Sequence, residues 1–106
     1  MISDEQREAI AMNIIAGAGS ARSSAFGALE AARRGDFAGA EALLAQAEEA
    51  LHSAQEAHRE LLQLYAQGEV PSLDVLLAHA QDHFMMATLA RDLADELVQL
   101  YRQIQK

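Results

Sequence analysis

Ala28-Leu29-Glu30-Ala31-Ala32-Arg33-Arg34-Gly35-Asp36-Phe37-Ala38-Gly39-Ala40 decides the fold of this chain. Upstream, Ile10, Ile14, Ala18, Ala21, Ala25, Ala28 and Ala32 recur at steps of three and four, the period of one helix face. Downstream, Ala40, Leu44, Ala47, Leu51, Ala54, His58, Leu61 and Tyr65 do the same. Between them, Gly35 is placed for the left-handed position that ends a helix, and Asp36 can cap the next one at once. A junction that short predicts two antiparallel neighbours packed side by side.

Ser3 with Gln6 three residues later forms a capping-box pattern, so the first helix is expected over roughly residues 3–34 and the second over 36–67. Gly68 stops the second. After Pro71, a third helix is expected over roughly 72–104, beginning at Ser72. Its inner seam reads as Leu76, Ala80, His83, Ala87, Ala90, Ala94, Leu97, Tyr101 and Ile104. A second stripe follows the same steps through His79, Asp82, Met86, Leu89, Leu93, Glu96 and Leu100. A helix apolar on two sides needs two partners, and three helices of ~45 Å at ~1.5 Å per residue make a slender unit with much side surface. The expectation is one all-α domain over residues 1–106, an antiparallel three-helix bundle that forms a homo-oligomer with the third helix inward.

Composition agrees. Strong helix formers dominate, with 23 alanines against a single proline. The net charge of −8 argues against sequence-independent binding of nucleic acid or anionic lipid, both of which require basic patches. With no cysteine there is neither a disulfide framework nor a thiolate metal site or nucleophile. Residues 1–6 show no basic n-region, and no apolar run is long enough to span a bilayer, so the chain reads as soluble and cytoplasmic. Gly17 and Gly19 have no preceding strand and no following Gly-Lys-Ser/Thr, so they make no nucleotide loop. Interior helical glycines cost roughly 1 kcal/mol each relative to alanine. They imply a place where another helix approaches or a groove stays open.

The chemistry concentrates in His79-Ala80-Gln81-Asp82-His83. On a helix, His79, Asp82 and His83 project to one side. Two uses fit the cluster. His at i and i+4 with Asp at i+3 can reach one metal ion, although no H-E-x-x-H pattern supports hydrolytic catalysis by zinc. Alternatively, a neutral imidazole attacks phosphorus and holds the phosphoryl group covalently, while a nearby carboxamide and second imidazole donate hydrogen bonds to its oxygens. Histidine suits that role because its side chain ordinarily titrates near ~6.5. The competing reading is a non-catalytic helical adaptor whose histidines pack or bind metal. His52 reads as solvated and His58 as a seam residue in need of a partner. Met86 reads as packing, and Phe84 and Met85 as the edge of a groove. If the second stripe lies on an oligomer axis, copies of Asp82 converge and require protonation or a cation.

Several segments together resemble the enzyme IIA component of the lactose/cellobiose/chitobiose branch of the bacterial sugar phosphotransferase system. They are Ile14-Ile15 with Gly19-Ser20-Ala21-Arg22-Ser23, Gly35-Asp36-Phe37 with Ala40-Glu41-Ala42-Leu43-Leu44, and Val75 to His83 with Leu89-Ala90-Arg91. The chain departs from the family pattern at Phe84-Met85-Met86, where Leu-Met-Thr is usual. The resemblance implies a homotrimer that accepts a phosphoryl group from the phosphocarrier HPr and passes it to a cysteine of the IIB component, serving disaccharide uptake without itself touching the sugar. It implies that His79 is phosphorylated, that Gln81 and His83 help hold the phosphoryl group, and that one Asp82 from each subunit meets a metal, typically Mg2+, on the trimer axis.

Overall fold

The computed structural model describes residues 1–105, and residue 106 of the expected domain lies outside them. Three helices follow one another, α1 (Asp4–Arg33), α2 (Phe37–Ala66) and α3 (Val75–Ile104), with no strand among the described residues. They form a rod of 56 × 18 × 17 Å. α1 packs closely against both other helices, whereas α2 and α3 touch each other less.

The ends are built as the local sequence dictates. Ser3 and Gln6 form the reciprocal capping box, Ser3 N–H donating to Gln6 Oε1 (2.8 Å) and Gln6 N–H to Ser3 Oγ (3.1 Å). Gly35 adopts φ +83°, and the Asp36 and Gly35 amides donate to the Ala31 and Ala32 carbonyls, closing α1 in a Schellman motif. Asp36 then caps α2 through the Gly39 amide. Gly68 at φ +74° closes α2 with the same pattern, its own amide and that of Glu69 donating to the Tyr65 and Leu64 carbonyls.

α3 departs from expectation in two ways. It starts at Val75, not Ser72, because Asp74 is the cap: its Oδ1 accepts from the Leu77 amide at 3.0 Å. Arg7 of α1 fixes that carboxylate, its Nε lying 3.2 Å from Asp74 Oδ2. The helix is also rotated from the expected seam. Leu77, Ala80, Ala87, Ala94 and Val98 are buried, with Phe84, Arg91 and Tyr101 half-buried on the same face, while Leu76, Leu97 and Ile104 face outward. Where apolar residues occupy most of a helix's circumference, period alone does not fix its phase. Two contacts with α2 fix it here. Phe84 stacks on His58 with centroids 4.8 Å apart and planes 21° apart, and Arg91 pairs with Glu48.

The core between the helices is made chiefly of alanine. Ala11, Ala18, Ala21, Ala25, Ala28, Ala31 and Ala32 of α1 are all at or below 1 % exposure, and the largest side chains so deeply buried are Ile14 and Val98. Gly17 extends this close packing: a Cβ there would lie 2.9 Å from Ala54 Cβ and 3.0 Å from the Ala50 carbonyl oxygen. Gly19 faces open space, with nothing within 4 Å. Meanwhile Met86, Leu89, Leu93, Leu97, Leu100 and Ile104 form an exposed apolar stripe along α3, Leu89 being 59 % exposed.

His58 is half-buried against Phe84, and burial holds its imidazole below the ordinary value of 6.5. His52 is exposed and pairs with Glu56, Nε2 to Oε1 at 3.3 Å.

These contacts make two predictions for stability. Gly17→Ala is expected to destabilise the fold by about 1–3 kcal/mol, because overpacking against α2 outweighs the gain in helix propensity, whereas Gly19→Ala should stabilise it by up to ~1 kcal/mol. Urea titration of both variants checks this, and equal effects would refute the close α1–α2 approach. For His58, the unfolded ring binds protons more readily than the folded one. Its contribution is therefore complete above about 6.5 and lost as pH falls below that value toward the lowered folded pKa. His58→Phe should accordingly lose less thermal stability than the parent chain between pH 7 and 5. Parallel pH dependences would show that this imidazole is not the group protonated.

Candidate functional site

The side chains singled out in the sequence lie on the second and third turns of α3, a short way past the Asp74 cap. The rotation that buries Leu77 and Ala80 turns His79 and Asp82 outward and leaves His83 half-buried. His79 and His83, one turn apart, meet edge to face with centroids 4.6 Å apart and planes at 83°. Their Nε2 atoms are 3.1 Å apart, a hydrogen bond in which one ring donates and the other accepts. Two imidazoles joined in this way share one N–H between their Nε2 atoms, and the lone pair of the accepting nitrogen is taken up by that bond, becoming available for other chemistry only when the contact opens.

Asp82 shares the outward side but pairs with neither ring, and among the described residues its carboxylate forms no ion pair. It stands at the head of the apolar stripe that continues through Met86 and Leu89. No three His, Asp or Glu side chains converge as a metal-binding group among the described residues. Within a single chain, therefore, the cluster is a histidine pair with a neighbouring free carboxylate.

Gln81 is placed differently. Two residues on from His79, it lies about 200° round the helix and half-buried, lining a cleft of about 330 Å³ with Leu61, Tyr65, Pro71 and Leu77. The chain brings His79 and His83 together and sets Gln81 on the α2 side. His83 and Met86 border a second, more open groove between α3 and α1, whose other wall includes Gly19, Arg22, Ser23 and Phe26. Phe84 is not at its edge, since the ring is packed between the two core clusters nearest the histidines, while Met85 is 63 % exposed. Arg22 escapes a reading of periodicity because its groove is formed by two helices distant in sequence.

Known proteins resemble this chain in sequence and fold. The model of the family described as the lactose/cellobiose-specific IIA subunit of the phosphotransferase system (PTS) matches residues 9–102. The N,N'-diacetylchitobiose-specific EIIA component of the PTS from Escherichia coli K12 is 38 % identical over 100 residues, covering 94 % of this chain and 86 % of that one. The crystal structure of the PTS cellobiose-specific enzyme IIA from Bacillus anthracis superposes with a TM-score of 0.88 at 37 % identity, over 99 % of this chain and 94 % of its own. A chain of the solution structure of the IIA(chitobiose)–HPr complex of the Escherichia coli phosphotransferase system superposes with a TM-score of 0.75 at 37 % identity, over 93 % and 96 %. Three helices with an outward histidine pair on the third, and family similarity along nearly their whole length, make this chain a member of the lactose/cellobiose-specific IIA family of the sugar phosphotransferase system.

Proposed function

We propose that this protein is the IIA phosphocarrier of a disaccharide phosphotransferase system, that His79 is its phosphorylated residue, and that it works in the cytoplasm between HPr and a IIB component. The observation that carries this reading is the His79–His83 pair: an exposed imidazole whose Nε2 is hydrogen-bonded at 3.1 Å to a half-buried second ring. With His83 donating, His79 carries its proton on Nδ1, and its Nε2 lone pair accepts the His83 N–H until that contact opens.

Attack by that lone pair on the phosphorus of phospho-HPr forms the new P–N bond as the P–N bond to the donor imidazole breaks, and the electron pair stays with the donor. The inter-ring hydrogen bond yields to the incoming group, and the same His83 N–H then donates to a phosphoryl oxygen. In the second half-reaction the cysteine sulfur of IIB attacks, the S–P bond forms, and the pair returns to His79. Charge in such a transition state is spread over the phosphoryl oxygens, so the protein's contribution is mainly alignment. The resemblance also assigns Gln81 to the phosphoryl group. Its side chain is on the α2 side, and comparing phosphohistidine lifetime in Gln81→Ala and His83→Ala measures how holding is shared.

The exposed stripe of α3 supports a homotrimer built about that helix. There, one Asp82 from each subunit would hold Mg2+ or another divalent cation. The donor set fits: a solvent-facing carboxylate without a basic partner suits a hard cation, and three like charges brought together are relieved by a cation or by protonation. The ion supplies charge neutralisation at the axis; transfer itself is performed by the histidines.

His79→Ala is expected to abolish labelling by phospho-HPr, read as acid-labile phosphate by intact mass, while helix content by circular dichroism stays unchanged. Stoichiometric labelling of that variant would end the proposal, and a wild-type chain that gains no phosphate would favour the adaptor reading. Asp82→Ala should change trimer stability or bound metal, measured by light scattering and elemental analysis, with His79 still labelled. A trimer indifferent to both chelator and substitution would remove the axial cation.

A further inference from the structure

We infer that Arg22 of α1 is a further functional residue, whose guanidinium receives the anionic phosphoryl group on the incoming donor and steers it to His79; this rests on the carrier function proposed above. Arg22 and His83 line opposite walls of the same open groove. They also stand at the same height, because the buried layer beneath them joins Ala18 and Ala21 of α1 to Ala87 and Phe84 of α3.

Arg22 is the one arginine or lysine among the residues lining that groove, and it has no acidic partner among the described residues. The other cations near α3 are engaged: Arg7 with Asp4 and Asp74, Arg91 with Glu48 and Asp92, and Arg102 with Glu41. Arg22 forms no ion pair among the described residues. The carboxylate in its groove, Glu30, is eight residues further along α1, about 12 Å away at ~1.5 Å per residue. The guanidinium lies over the Phe26 ring, 5.2 Å from its centroid, a contact that orients the group and leaves its N–H donors free. Gly19 and Ser23 keep the wall low on the approach, Gly19 having nothing within 4 Å of where a Cβ would sit.

The electrostatic need is plain. A chain of net charge −8 repels a phosphoryl dianion, and one unneutralised cation in the groove that His83, the hydrogen-bonded neighbour of His79, also lines offsets that repulsion locally. A planar guanidinium can also grip two phosphoryl oxygens at once, which an ammonium cannot.

The test is the rate of phosphoryl transfer from phospho-HPr to the wild-type protein and to Arg22→Gln and Arg22→Lys, at low and high salt. Arg22→Gln should lower kcat/KM by roughly tenfold at low salt, the loss of about one charge-assisted hydrogen bond. The gap should narrow near 1 M salt, where the screening length is ~3 Å. Arg22→Lys should restore part of the rate, and melting temperature and oligomeric mass should match wild type in both variants. Affinity for unphosphorylated HPr should not change. An Arg22→Gln protein with wild-type kcat/KM overturns the inference, as does an equal loss of affinity for phosphorylated and unphosphorylated HPr, which would place the guanidinium on a carboxylate of the partner. A loss that tracks altered mass or melting and is not rescued by lysine assigns a structural role and overturns it too. Absence of labelling in the wild-type protein would instead refute the carrier function.

Discussion

Contact between helices through alanine is the constraint from which the rest of this molecule follows. Facing positions that carry a single methyl group let helix axes approach to the short end of the 8–10 Å range, and Gly17 admits the backbone of α2 closer still. Such a seam buries many atoms close to the backbone but few long side chains. At ~0.8 kcal/mol per buried CH2, an alanine contributes far less than a leucine. The long apolar side chains of α3 are then left outside the bundle, from Met86 to Ile104. A rod whose interior is alanine and whose flank is leucine has much of its available hydrophobic stabilisation still unrealised in the single chain. Assembly on α3 is the direct way to realise it.

The same constraint separates what could be read in the sequence from what could not. α1 and α2 each present one apolar face, so most of their buried residues follow from spacing, although Tyr65, expected to end the α2 seam, is exposed. The caps at Ser3 and Asp36 and the two positive-φ glycines follow from local chemistry. α3 presents apolar residues on two sides, and local spacing gives no preference between two phases about one residue apart. The choice is made by Phe84 against His58 and by Arg91 against Glu48, contacts between residues far apart in the chain. Its starting point has the same character. Ser72 and Asp74 can both cap, and Asp74 is selected by Arg7 from the first helix. Of the candidate site, the histidine pair was legible because positions four apart share a face. Gln81, two positions on, was expected beside them from its nearness in sequence and from the resemblance, but residues two apart do not share a helix face, and the chain sets it toward α2.

The rotation of α3 also decides the chemistry. Had the inner seam run through Leu76 and His83, His83 would face the core and His79 would stand alone. With Leu77 and Ala80 inside, both rings emerge on one side, close enough for a direct Nε2–Nε2 hydrogen bond. Phe84 is the hinge of this arrangement, since its ring reaches both neighbouring core clusters while the preceding residue carries the second imidazole. Placing the pair on a helix held by core contacts on one side gives positional precision that a loop would not.

In the role proposed for this chain, a carrier has to satisfy two opposed demands, and the geometry around His79 suits both. The imidazole must hold a phosphoryl group long enough to find a second protein, yet not so tightly that transfer becomes slow, because stabilising the intermediate deepens the well from which the next step must climb. Deep burial with several donors would favour retention, and an isolated exposed ring would leave the group undirected. Here the acceptor is exposed, so donor and recipient can reach it in turn, and His83 stands behind it with one N–H available. Supporting contacts are kept on the far side of Phe84, where they hold the helix without touching the phosphoryl group. The proposed relay thus rests on one hydrogen bond between two rings and a close-packed backing of alanine.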